Sequence, residues 1–91
     1  QSPKLAQQIA KVVASLRITG TPPAGVYQGG YKGETGVYAN LTEKLPERPL
    51  GYYAESAVWL GKAGTERIVI GQQLDEVWYS PDHYGTFRRW Q

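Results

Sequence analysis

The chain has 91 residues, 41% of them hydrophobic and 20% charged, with ten basic and eight acidic side chains and a net charge of +2. That length suffices for one domain spanning residues 1–91, no apolar run is long enough to cross a bilayer, and the small positive charge permits a nucleic-acid surface without advertising one. The absence of cysteine excludes disulfide staples, zinc clusters and thiol nucleophiles, and a single histidine excludes a histidine-rich metal site.

The chain starts at Gln1 and contains no methionine, as expected of a processed product or a domain cut from a longer chain. Ser2 and Pro3 open the first predicted element. Serine is a good N-cap, and proline fits the first helical position, where its missing N–H costs nothing. Leu5, Ile9, Val12, Val13 and Leu16 recur at helical spacing and form one apolar face, with Lys4, Gln7, Gln8, Lys11 and Ser15 on the other side. Gly20 and the Pro22-Pro23 pair end the helix. From Pro22 to Gly36 the chain is rich in glycine, proline, tyrosine and lysine without a usable period. It reads as a winding loop with a short irregular strand at most, and its glycines do not form the phosphate-binding pattern of a P-loop.

The remaining predicted elements are strands: Val37 to Ala39, Tyr52 to Trp59, Arg67 to Ile70, Glu76 to Tyr79 and Thr86 to Trp90, with turn residues between them. One helix followed by such a run implies an α+β fold, the helix covering one face of an antiparallel sheet of about five strands. Period-two alternation puts Tyr53, Glu55 and Ala57 on one face, and on the next strand sets Arg67 and Val69 against Ile68 and Ile70. If the isoleucines meet the helix, Glu55 and Arg67 share the open face. An exposed Glu–Arg pair across neighbouring strands is commonplace and by itself structural. What adds to it is His83, the only histidine, set among aromatics after the turn signal Ser80-Pro81-Asp82. Imidazole is the side chain that exchanges protons near neutrality.

Glu55, Arg67 and His83 together are the parts for cleaving RNA through its own 2′-hydroxyl. A carboxylate takes the hydroxyl proton, and that oxygen attacks the adjacent phosphorus. An imidazolium protonates the departing 5′-oxygen, while a guanidinium holds the charge that builds on the phosphoryl oxygens. The route calls for no metal or other cofactor, and DNA lacks the nucleophile.

Segments in chain order then carry a resemblance. Val37-Tyr38-Ala39-Asn40 with Lys44-Leu45-Pro46, Gly51-Tyr52-Tyr53-Ala54-Glu55, Glu66-Arg67-Ile68-Val69 and Asp82-His83-Tyr84-Gly85-Thr86-Phe87 resemble the motifs of the small bacterial guanyl-preferring ribonucleases, the family of barnase and the Streptomyces ribonucleases. The resemblance covers Val37 to Trp90. It implies the barnase-like fold, Glu55 as general base, His83 as general acid and Arg67 as the electrophile for the transition state. It further implies that Tyr84 lines the phosphate or base site. Asn40 would fix a loop whose backbone N–H groups meet the base, and Tyr38 would supply a stacking face.

The pattern is broken in places. The glutamate expected two residues after the asparagine is Thr42, with Glu43 one step later, and the arginine expected between them is Leu41. A hydroxyl accepts a hydrogen bond but cannot clamp two donors as a carboxylate does, so either the loop shifts to bring Glu43 in or discrimination for guanine is weaker. The arginine expected four residues before Arg67 is Ala63. The neighbouring Lys62 can supply a point charge but not a bidentate fork, so the expectation is a slower enzyme or one whose Lys62 compensates. The implied function is a metal-independent endoribonuclease acting on single-stranded RNA and forming a 2′,3′-cyclic phosphate. The chain is expected to be a monomer, secreted or the C-terminal toxin domain of a larger exported protein, and held in check by a barstar-type inhibitor. The rival readings are a non-catalytic module binding RNA or a protein on the same fold, and a structural domain with a surface histidine.

Overall fold

A computed structural model describes residues 2–72 and 75–90. Helix α1 (Pro3–Thr19) begins and ends as its sequence dictates. Ser2 Oγ accepts the Leu5 N–H at 3.1 Å, and Gly20, left-handed at φ 77°, returns its N–H to the Leu16 carbonyl at 2.9 Å. Its buried residues Ile9, Val12, Val13 and Leu16 pack on Ile68, Ile70, Val77 and Tyr79 of the sheet. Each such aliphatic side chain stabilises the fold by roughly 1.5–3 kcal/mol through burial.

The sheet contains β3 (Val37–Tyr38), β4 (Tyr53–Ala57), β5 (Arg67–Gly71), β6 (Val77–Ser80) and β7 (Arg88–Arg89), antiparallel and paired in sequence order. The α+β expectation therefore holds, with the helix on one face of a five-stranded antiparallel sheet. Strand ends are shorter than the alternation suggested. β4 stops at Ala57 because its partner begins at Arg67, the residue paired with it. Thr86 is not in β7: its N–H and hydroxyl both donate to the Asp82 carboxylate, at 2.8 Å each. Trp90 still reaches the ladder through its N–H to the Val77 carbonyl.

The glycine-rich stretch holds a hairpin that its composition concealed: β1 (Gly30–Tyr31) pairs with β2 (Glu34–Thr35). Lys32 and Gly33 turn it with φ of 50° and 82°, the double positive φ of a tight two-residue hairpin. The chain around this hairpin continues the edge of β4. Tyr27 accepts the Ala57 N–H, Gly36 accepts the Glu55 N–H at 2.7 Å, and Gln28 Nε2 donates to the Glu55 carbonyl at 3.2 Å. The backbone on both sides of Glu55 is thereby satisfied. No helix among the described residues is long and apolar enough to cross a membrane.

Candidate active site

Glu55 and Arg67 do share the sheet face opposite the helix, but that face is not open. Glu55 is 9% and Arg67 4% exposed. The cover comes from elements distant in sequence: the glycine-rich segment at residue 29, and Tyr84. Burial raises the Glu55 pKa above the ordinary carboxylate range. The Tyr84 hydroxyl, Arg67, His83 and the Gly29 amide all favour the charged form without overcoming it.

The Arg67 guanidinium reaches the loop before its own strand, where Nη1 donates to the carbonyls of Ala63, Gly64 and Glu66 at 3.0, 3.1 and 2.8 Å. Its Cζ also lies 5.9 Å from the centre of the Tyr84 ring. A buried cation needs such partners. The position lacking the arginine, Ala63, thus contributes its carbonyl to holding the one that remains.

His83 and Tyr84 are both left-handed, with φ of 54° and 72°. For residues other than glycine this costs of order 1–3 kcal/mol each, and the surrounding bonds must enforce it. Ser80 Oγ donates to Asp82 Oδ1 at 3.0 Å and accepts the Tyr84 N–H at 2.9 Å, while Asp82 holds Thr86. The His83 N–H donates to the Thr65 carbonyl at 2.8 Å. Thr86, through its N–H and hydroxyl, and then Ser80 keep the Asp82 pKa below the ordinary range. The exposed imidazole of His83 is therefore presented from a fixed turn.

Asn40 has φ of 56° and closes its loop with two bonds, accepting the Leu45 N–H at 3.1 Å and donating to the Leu45 carbonyl at 3.0 Å. Tyr38 stacks on Tyr84, ring centres 4.8 Å apart, and meets Tyr53 and Phe87 edge-on. Burial raises its pKa, while the neighbouring Thr42 side chain favours the ionised form. The Tyr84 hydroxyl is itself buried and makes no hydrogen bond, although it feels both Glu55 and Arg67. Desolvation, then the Glu55 charge, pushes its pKa far up.

A cleft of about 450 Å³ joins these parts; Tyr38, Asn40, Thr42, Glu55, His83 and Tyr84 line it. Arg67 does not line it and stands behind Tyr84. Glu43 is exposed, left-handed at φ 57°, and outside the lining, so of the two alternatives the inward shift of its carboxylate is not the one made. Lys62 also lies elsewhere, in a separate hollow against the helix N-terminus. Tyr31 and Lys44 do line the cleft; Lys44 stands in the segment Lys44-Leu45-Pro46 that carries the resemblance, which assigns it no role, and Tyr31 has no motif to mark it. Among the described residues, no group of three or more His, Asp or Glu side chains gathers where a metal ion could be held.

The arrangement matches known proteins. A family model described as ribonuclease matches residues 2–91. The chain belongs to the ribonuclease family. The structure of ribonuclease Sa2 with exo-2′,3′-cyclophosphorotioate is 34% identical and superposes with a TM-score of 0.67, covering 98% of this chain and 87% of that one. Ribonuclease Sa2 with guanosine-2′-cyclophosphate gives a TM-score of 0.66 at 34% identity, with the same coverage of both chains. Among curated proteins, guanyl-specific ribonuclease Sa3 of Kitasatospora aureofaciens is 41% identical over 56 residues, 58% of this chain and 40% of that protein. Guanyl-specific ribonuclease Sa of the same organism is 41% identical over 54 residues, 56% of each. The chain thus spans about half the length of the curated relatives it matches.

Proposed function

We propose that this member of the family is an endoribonuclease that cleaves single-stranded RNA by transesterification, without a metal. The observation that carries the reading is one cleft lined by a buried carboxylate, Glu55, an exposed imidazole, His83, and a loop closed by Asn40. Glu55 takes the proton from the 2′-hydroxyl, that oxygen bonds to phosphorus, and the bond from phosphorus to the 5′-oxygen breaks. His83 protonates the leaving oxygen, and the products are a 2′,3′-cyclic phosphate and a free 5′-hydroxyl. Arg67 supplies positive potential from behind Tyr84, and the unpartnered Tyr84 hydroxyl is a donor for a phosphoryl oxygen.

Tyr38 offers its ring to the base, and the loop from Asn40 to Lys44 offers backbone N–H groups. Guanine is preferred, but weakly, because Thr42 stands where a carboxylate would receive the two donors of the guanine edge. An inhibitor of the barstar type pairs with this face less tightly than with a relative bearing arginines at the positions of Leu41 and Ala63. Such an inhibitor is needed whether the enzyme is secreted or delivered as a toxin domain, since either endangers its producer.

Digestion of a mixed-sequence RNA in excess EDTA, with the cut ends mapped, tests the reading. Cyclic phosphate termini that vanish in Glu55→Ala and His83→Ala support it. Parental rates in both variants refute it.

A further inference from the structure

The basic residue expected to replace the missing arginine stands beyond the cleft, in a place of its own. Lys62 and Lys4 line a hollow of about 570 Å³ whose other walls are Ser2, Gln8, Trp59 and Leu60, with no acid among them. Ser2 Oγ is occupied by the Leu5 N–H, and Gln8 Nε2 by the Val58 carbonyl at 2.9 Å. What faces a ligand is two exposed ammonium groups, a half-buried indole and Leu60, which is 61% exposed. Cations beside an aromatic face suit single-stranded nucleic acid, with phosphates on the charges and a base on the ring.

The position relative to the reaction gives this surface a direction. A general acid stands beside the oxygen that leaves, so the RNA downstream of the cut departs on the His83 side. His83 is bonded through its N–H to Thr65, in the same loop that holds Arg67 by the carbonyls of Ala63, Gly64 and Glu66. A Cβ on Gly64 would stand 3.1 Å from Glu66 Oε1 and 3.9 Å from Trp59 Cδ1, so the indole lies against that loop, with the Glu66 carboxylate beside it and outside the hollow's walls. The loop at residues 63–66 thus touches both the turn that presents His83 and the Trp59 wall of the hollow.

We propose that the hollow formed by Lys4, Trp59, Leu60 and Lys62 is a subsite for single-stranded RNA on the 3′ side of the scissile phosphate. This rests on the ribonuclease reading above. The lysines neutralise phosphates and Trp59 stacks with a base. Positive charge lacking at the reacting phosphate is thereby placed along the departing strand.

The test compares a dinucleotide with the same substrate extended on its 3′ or its 5′ side. A 3′ extension is expected to raise kcat/KM by about tenfold, the effect of one stacked base. Lys4→Gln, an exposed helix position, is expected to abolish that gain while leaving dinucleotide and 5′-extended cleavage unchanged, and Trp59→Leu to abolish it as well. A gain that survives both variants, or appears equally for 5′ extension, overturns the subsite. Binding of a 3′-extended RNA with hydrogen in place of the 2′-hydroxyl at the cut separates the two readings. Weaker binding by Lys4→Gln, with a log–log salt slope reduced by about 0.7, supports the RNA site. If the parent then cleaves nothing, the ribonuclease reading falls alone. Binding unchanged in Lys4→Gln overturns the subsite whatever the cleavage.

Discussion

A Cβ at Gly29 would stand 3.1 Å from Oε1 of Glu55, and the Gly29 amide favours the charge on that same carboxylate. The glycine-rich segment is thus the lid over the proposed base. Gly29→Ala is expected to push the carboxylate by a few tenths of an ångström and lower kcat about tenfold, since small misplacements of a reacting group are expensive. Stability should change by less than about 1 kcal/mol, a typical effect of one methyl group. Steady-state kinetics beside urea unfolding checks both, and an unaltered kcat would contradict the close approach.

Burial raises the Glu55 pKa, and a base must be ionised to act. The acid limb of the pH–rate profile should therefore lie above about 4.3, the ordinary value for glutamate. The sign for stability follows from the same shift. The folded state holds the proton more tightly than the unfolded chain does, so the favourable contribution is complete below the unfolded pKa and lost as pH rises through the folded one. Glu55→Gln should raise Tm at neutral pH, with that advantage gone by about pH 3. A variant less stable than the parent at neutral pH would count against a strained, desolvated carboxylate.

Thr42 lines the cleft where Glu43 does not. Thr42→Glu places a carboxylate on the loop that Asn40 already holds closed. Hydrogen bonds to a charged group contribute about 1.5–3 kcal/mol, so cleavage after guanine relative to adenine should rise about 10- to 100-fold. Competition between matched oligonucleotides measures the ratio. An unchanged ratio would mean that base selection comes from elsewhere.

Glu76 behaves in the opposite sense to Glu55. Burial opposes its charge, but hydrogen bonds from the Tyr52 hydroxyl at 2.6 Å and Trp78 Nε1 at 3.0 Å prevail and hold its pKa below the ordinary range. Its stabilising effect is present above the unfolded pKa and lost as pH falls through the folded one. Glu76→Ala leaves two donors without an acceptor and should cost about 1–3 kcal/mol at neutral pH. The difference from the parent should narrow on acidification, as denaturant titrations at two pH values would reveal.

The helix was legible because cap, apolar period and terminal glycine all pointed to the same boundaries, Ser2 to Gly20. The facing of β4 and β5 was legible from alternation alone, and Ile68 and Ile70 do meet the helix. The hairpin at Lys32-Gly33 was not, because a lysine at the first turn position lacks the asparagine or aspartate that usually announces a double positive φ. The burial of Glu55 and Arg67 was equally hidden, since the cover comes from residues 29 and 84, far away in sequence. Lys62 misled for a related reason. Adjacency to Ala63 fixed its place in the chain, while the loop that wraps the Arg67 guanidinium left it facing the helix end.

β5 spends alternate residues on different tasks: Ile68 and Ile70 on the helix side, Arg67 on the side of the cleft. Folding and reacting are therefore separated by one step along a strand. A lineage selected only to stay folded, and no longer to cut, would keep its isoleucines and the Arg67 that ties down the carbonyls of Ala63, Gly64 and Glu66, and would lose Glu55 freely. Relief of the buried carboxylate even rewards that loss. In such a population the silent copies would be recognised by a lost Glu55 and His83 beside an intact β5, whose Val69 is core on the cleft side as Ile68 and Ile70 are on the other.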